Sequence, residues 1–371
     1  MSPRERGWLG ITRSRNLPGR MMDAMGRQPA PFPPTLGSVF TASAARAAGV
    51  ASRRLGQPDI IRIARGVYAR APTLWHDAAH PSPSRRGWPG QSGERGLHDL
   101  HEHELWRREI VARARALAPL LGAGEYFSHH TAAALWGLPV RPPGRARRRQ
   151  VDVARTRGPG VGSTLPLCFR EIAARQVSVT QRDGIPLTDP ATTWAQLAPS
   201  LPLYDAVALG DAVGWRPRFP GTTRLKRPAL ASHEELSRAA HLPQRRGGQA
   251  LREMLPLLST QSASPPETHL RLRLAEWGAP RPSLDHDVAT HAGRLLGCSE
   301  LAFPELLIAL EYEGGHHFTQ ARQFARDIEK YQHYAEHGWL VVRVTSELLY
   351  RQQEELRRRI FAALALRGWR G

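Results

Sequence analysis

The sequence predicts an α/β protein (α+β overall) built from three small folded units, on three observations. Residues 263–371 alternate helical and extended patterns in the order α-β-β-β-α-β-α around a very apolar strand, Leu306 to Leu310. A strand apolar on both faces needs helices on both, which makes this unit an α/β sandwich with a mixed sheet. Residues 37–72 read as a short helix, a second Arg-bearing helix and a basic hairpin, the pattern of a small winged helix-turn-helix. Between these lies an α/β middle domain of helices and short strands.

The expected boundaries follow composition. Residues 1–36 are rich in Arg, Gly and Pro without periodicity and read as a disordered basic arm, with Met21, Met22 and Met25 leaving the start position open. Residues 37–75 are the winged helix-turn-helix-like unit: Thr41 to Gly49 as a capped helix closed by glycine, Ser52-Arg53-Arg54-Leu55 opening a second, and Ile60 to Tyr68 as a hairpin around Arg65-Gly66. Residues 76–100 form a linker. The middle domain, 101–214, opens with a helix from His103 to about Leu121 and a second from Ser128 to Trp136, stopped by Gly137 and Pro139; strands follow near 151–153 and 165–169. Residues 215–231 are a second linker and 232–262 a helical connection.

In the last unit, Ser264-Pro265-Pro266-Glu267 opens a helix to Trp277. Strands are expected at 285–290 and 294–303 with a turn at Thr290 to Gly293, then Leu306 to Glu313, a helix from Gln320 to Glu336, a strand from Trp339 to Thr345 and a helix capped by Ser346.

Charge narrows the function. The 371 residues carry 52 Lys+Arg against 33 Asp+Glu, a net +19. Residues 263–371 hold 14 of each sign, so the whole surplus, 38 against 19, sits in the first 262 residues. Such a surplus selects polyanionic partners, above all nucleic acid. Only Lys226 and Lys330 are lysines, so any mechanism that needs an amine has two candidates. With Cys168 and Cys298 alone, neither a disulfide framework nor a Cys-rich zinc module is available. No apolar run approaches the ~18 residues of a membrane span, and no secretory signal pattern is present; a cytoplasmic protein without a membrane partner is expected. Arg53, Arg54, Arg62 and Arg65 in the first unit are the candidate nucleic-acid contacts. So are Arg145, Arg147, Arg148 and Arg149 in the densest basic run, which continues to Arg155 and Arg157. His98, His101, His103, His129 and His130 read as capping or solvated histidines rather than a zinc site, because no register gathers them.

The chemistry concentrates on the third strand. Glu311 and Glu313, two apart, face one side and end a buried apolar run. Paired carboxylates there repel and resist desolvation, and a divalent cation relieves both costs. Glu300 adds a third from the neighbouring strand; oxygen-only ligands suit Mg²⁺ or Mn²⁺. His316 and His317, after Gly314-Gly315, stand next in line as acid or base. Glu267, three residues after Ser264, is either a capping-box residue or a member of the site.

Ser264-Pro265-Pro266-Glu267, Ser299 to Glu305, Leu310 to His317 and Gly338 to Thr345 together resemble the very-short-patch-repair-like domain of the PD-(D/E)XK nuclease superfamily. That resemblance covers roughly the last hundred residues. It implies a restriction-endonuclease-like core that cuts phosphodiesters with Mg²⁺ held by Glu300 and Glu311. Glu313 falls in the slot where many members carry a lysine. Two departures stand out: Glu300 and Glu313 replace the usual Asp, and neither lysine occupies the signature slot, which leaves water activation to His316, His317 or metal-bound hydroxide. Phe40-Thr41, Gly66-Val67-Tyr68, Ser128 to Ala133 and Leu187-Thr188-Asp189-Pro190 resemble the AbiEi family of antitoxin-like proteins, which implies DNA binding and repression. Two functions follow: a Mg²⁺-dependent endonuclease acting on double-stranded DNA, or a non-enzymatic DNA-binding regulator whose nuclease fold is kept as a scaffold or homodimer surface.

Overall fold

The computed structural model describes residues 32–33, 36–37, 39–57, 59–64, 66–70, 93–148, 150–156, 168–313 and 321–371. Among them are eleven α-helices and three sheets. The basic arm as far as residue 31, residues 71–75 of the first unit, residues 76–92 of the first linker, Arg65, Arg149, Arg157, His316 and His317 lie outside the described residues.

The first unit comprises β1 (Val39–Thr41), α1 (Ala42–Ala47), a 3-10 turn (Ser52–Gly56) and the hairpin β2 (Ile60–Ala64) and β3 (Val67–Arg70). Thr41 caps α1, its Oγ1 accepting from Ala44 N at 3.0 Å. The second helix expected at Ser52 is only that turn, closed after Leu55 by Gly56. Phe40, Ala45, Leu55 and Ile60 form its small core. Val67 and Ala69 instead pack with Phe127 and Leu187 of the middle domain, so the two units share one apolar interior.

The middle domain carries a five-stranded sheet in the order β6-β5-β4-β8-β7. Its strands are β4 (Glu125–Phe127), β5 (Asp152–Thr156), β6 (Cys168–Ile172), β7 (Val179–Arg182) and β8 (Ile185–Thr188). Its helices begin with α2 (Gly93–Leu117), which starts inside the segment read as linker, and α3 (His129–Trp136), ended by left-handed Gly137. Next come α4 (Pro190–Leu197), with Asp189 accepting from Thr192 N at 2.6 Å, and α5 (Leu203–Gly214). The helical connection is part of this domain: α6 (His233–Ala240) and α7 (Gly248–Met254) contribute Leu236, Leu251 and Met254 to the core around Trp194, Leu209 and Val213.

The C-terminal unit follows the expected order: α8 (Pro265–Glu276), β9 (Ser283–Ala289), β10 (Leu295–Phe303), β11 (Ile308–Glu313), α9 (Ala321–Glu336) and β12 (Leu340–Thr345). The last helix is two, α10 (Ser346–Tyr350) and α11 (Gln353–Leu366), and its cap is Thr345, one residue before the expected Ser346. The sheet order is β12-β11-β10-β9, antiparallel throughout except β12, which runs parallel to β11 after the α9 crossover. β11 starts at Ile308, since Pro304 to Leu306 is a 3-10 turn and Leu307 takes φ +49°. Leu301, Phe303, Ile308 and Leu310 pack beneath α8, α10 and α11, while Val288, Ala302 and Ala309 face Tyr334 and Trp339. This is the mixed-sheet sandwich expected.

Helices α5 and α8 join the two larger units through buried acids. Asp211, 1% exposed, accepts from Ser259 N at 2.6 Å, Thr268 Oγ1 at 2.7 Å and Arg271 Nη2 at 2.9 Å. Burial pushes its carboxyl up, and Arg271 opposes that shift. Six residues earlier on α5, Asp205 meets His269 Nε2 at 3.3 Å, and His269 Nδ1 lies 3.2 Å from Tyr350 Oη. Arg271→Ala leaves Asp211 buried without its cation and should cost roughly 3–5 kcal/mol in urea denaturation. Adding Asp211→Asn in the same chain should recover part of that loss, and a double variant as unstable as the sum of both singles would contradict the pairing.

Candidate active site

Glu311 is the one buried carboxylate of β11. Period-2 alternation puts it with Ala309 on the face covered by α9, at the end of the strand where the apolar run stops. Its side chain is 6% exposed, and Oε1 accepts from Lys330 Nζ at 2.8 Å. Burial pushes the Glu311 carboxyl up; Lys330 and the Ser299 hydroxyl pull it down, and Glu313 adds to the rise.

Lys330 reaches Glu311 because α9 approaches the sheet closely at Gly297. A Cβ there would stand 2.8 Å from Tyr334 Oη, so only glycine admits the fully buried Tyr334. The lysine stem runs along that aromatic ledge, Nζ lying 5.4 Å from the Tyr334 ring centre and 5.6 Å from that of Tyr331. β11 itself carries no lysine; in space, the amine of Lys330 from the next helix stands beside Glu311.

Glu313 is held separately. Arg343 Nε donates to its Oε1 at 2.7 Å and Tyr331 Oη at 3.2 Å. Arg343 is the register partner of Glu311 across the parallel pair, yet its ion pair is the diagonal one to Glu313. Glu300 has a third arrangement. It lies on β10 next to the Leu301–Leu310 register pair, and its Oε2 accepts from Tyr312 N at 2.9 Å. The three acids therefore line neighbouring strands of one sheet end, each engaged by a different donor.

Glu267 does not complete the expected capping box, since Ser264 makes no side-chain cap bond and the amide that Glu267 binds is that of Ala263. It is 2% exposed, and its two oxygens accept from Ala263 N and Ser264 Oγ, both at 2.8 Å. Among the described residues, no group of three His, Cys, Asp or Glu side chains is arranged to hold a metal ion. In donor chemistry the acids suit a hard divalent cation, and the raised Glu311 carboxyl is a buried charge that such an ion would compensate. In geometry, an ion would have to share Glu311 with Lys330 and Glu300 with the Tyr312 amide.

The expected nucleic-acid contacts divide in two. Arg53, Arg62 and Arg145 are exposed. Arg54 instead makes a two-pronged pair with Asp59 at 2.7 and 2.6 Å, Arg148 pairs with Glu102 at 2.6 Å, and Arg147 with buried Asp152 at 2.8 Å. Asp152 also receives Arg170 at 2.7 Å. Against this cluster His129 is pushed down to about 3, chiefly by burial and then by Arg170, and His130 is lowered for the same first reason.

Two relatives match this chain, both described as uncharacterized proteins of Mycobacterium tuberculosis, one from strain CDC 1551 / Oshkosh and one from strain ATCC 25618 / H37Rv. Each is 26% identical over 252 residues, covering 68% of this chain and 86% of the relative. No family model matches the chain, and no solved structure does.

The neutral state of His129 has a pH signature. Its folded value of about 3 lies below the ordinary ~6.5, so its contribution to stability is present above pH ~6.5 and is lost as pH falls toward 3. His129→Gln should lose less melting temperature than the wild type between about pH 7 and pH 4. Parallel curves for the two would contradict a buried neutral histidine.

Proposed function

We propose that the chain is a Mg²⁺- or Mn²⁺-dependent endonuclease of the PD-(D/E)XK type acting on double-stranded DNA, with its basic N-terminal units holding the duplex. The observation that carries this reading is the buried Glu311–Lys330 pair at the sheet end where Glu300 and Glu313 also lie. The α-β-β-β-α-β order, with β12 parallel to β11, supports it as the arrangement that the resemblance implies.

Glu300 and Glu311 would hold the metal. Bound there, it would polarise a phosphoryl oxygen and lower the pKa of the attacking water. The chain's own groups divide the remaining work. Lys330 Nζ, fixed by Glu311 and the two tyrosine rings, is a point charge able to hold a phosphate oxygen or orient a water beside the acid. Arg343 holds Glu313 in an ion pair and fixes its direction along the sheet end. His316 and His317 keep their expected role as proton carriers. Arg53, Arg62 and Arg145 supply phosphate contacts that set position rather than sequence.

A specific observation also favours the second reading, a DNA-binding regulator of the antitoxin type. Every acid of the trio already has a protein donor, which is how a scaffold would close a disused site.

Cleavage separates the two. Supercoiled plasmid should be nicked by the wild type with Mg²⁺ or Mn²⁺ and not in chelator. Glu311→Gln and Lys330→Ala should each lose at least about a hundredfold in rate while binding DNA with unchanged affinity. Wild-type protein that binds plasmid and leaves it intact with both metals decides for the regulator.

A further inference from the structure

Residues 215–231, expected as a linker, are built as a finger. The segment carries five cations, Arg216, Arg218, Arg224, Lys226 and Arg227, and no acid. Lys226 N donates to Pro217 O at 2.7 Å, Phe219 N to Arg224 O at 3.0 Å and Thr222 N to Phe219 O at 3.1 Å. Gly221 turns the tip at φ +74°, a backbone that favours glycine. Residues 219–226 are all exposed.

Arg218 fastens this finger to the C-terminal sheet. It pairs with Asp285 Oδ2 at 2.7 Å and Asp287 Oδ2 at 2.6 Å and also donates to Asp285 O. Gly221 N donates to Asp287 Oδ1 at 2.9 Å. Both acids of β9, two strands from Glu311, are thereby consumed by the anchor. The other cations make no ion pair among the described residues. Three of these four lie on aromatic faces: Arg224 at 4.3 Å and Lys226 at 5.7 Å from the Phe219 ring centre, and Arg227 at 5.1 Å from that of Trp215. A cation on a ring keeps its full charge and loses conformational freedom before any ligand arrives.

We propose that this finger is a second nucleic-acid contact, in which Arg224, Lys226 and Arg227 grip the phosphodiester backbone of duplex DNA beside the β9 edge. A ridge of unneutralised, pre-ordered cations matches regularly spaced phosphates, and it reads no bases. Its place beside β9 puts a phosphate contact on the C-terminal unit, whose own residues have no surplus of cations. The inference rests on DNA as the ligand and is independent of cleavage.

The test is anisotropy of a labelled short duplex with the full chain in chelator, where cleavage plays no part. Arg224→Ala, Lys226→Ala and Arg227→Ala combined should weaken binding at least about tenfold at ~0.15 M salt and flatten the salt slope by about 2–3. Arg357→Ala, Arg358→Ala and Arg359→Ala on α11 remove the same charge and should change affinity less than about threefold. Phe219→Ala alone should give an intermediate loss, because Arg224 loses its platform. Equal losses in both triple variants, or none in the finger variant at an unchanged melting temperature, would overturn the proposal. Loss of binding to phosphatidylserine vesicles with DNA affinity intact would overturn it in favour of a membrane surface. A wild type that binds no duplex would remove the DNA reading itself, so the two failures are distinct.

Discussion

Asp211 is the constraint on which the arrangement of the larger units depends. Its oxygens bind the amide of Ser259 in the connection and the side chains of Thr268 and Arg271 on α8, while its backbone belongs to α5 in the middle-domain core. An ion pair this deep is stable only when every lone pair has a donor, and here three donors converge. The result fixes α8 against α5, and α8 is one of the helices on which the C-terminal sheet rests. Asp205, His269 and Tyr350 add a second polar contact nearly two turns along α5 and bring in α10. The acidic sheet end is thus held by polar contacts to a domain that carries none of its acids.

The same physics shapes the candidate site. A carboxylate at the end of an apolar strand is expensive to desolvate, and the fold answers with Lys330 rather than with water. That answer is incomplete, because burial still keeps the Glu311 carboxyl above the usual range. The divalent ion proposed above would add a second compensating cation beside Lys330. Glu313 with Arg343, by contrast, is a conventional closed pair.

Much of the C-terminal unit was legible because its signals are local. The apolar run before Glu311, the Thr290–Gly293 turn and the crossover helix lie in consecutive residues, and all four strands fall within about two residues of their expected positions. Lys330 was not legible as a partner of Glu311: nineteen residues separate them, and the contact exists only because Gly297 lets Tyr334 in. The basic run at 145–149 looked uniform in sequence, although Glu102 and Asp152 neutralise Arg148 and Arg147 from elsewhere. Residues 215–231 lack periodicity and so read as a linker, since an anchor such as Arg218 leaves no pattern. In the middle domain β4 has three residues and β8 carries Pro186, which hides both from a test based on alternation. Glu267 keeps two readings in sequence because capping and ligation use the same carboxylate; in the fold its oxygens bind Ala263 N and Ser264 Oγ at the start of α8, without a capping box.

The central claim is that the undercompensated charge at Glu311 is a place for a divalent ion. Calorimetric titration of Mg²⁺ and Mn²⁺ into the full-length protein tests it without needing a substrate. The account predicts saturable binding by the wild type, loss of that heat in Glu311→Gln, and a weaker residual signal in Glu300→Gln. Heats of dilution alone for the wild type, or identical isotherms for wild type and Glu311→Gln, would contradict it.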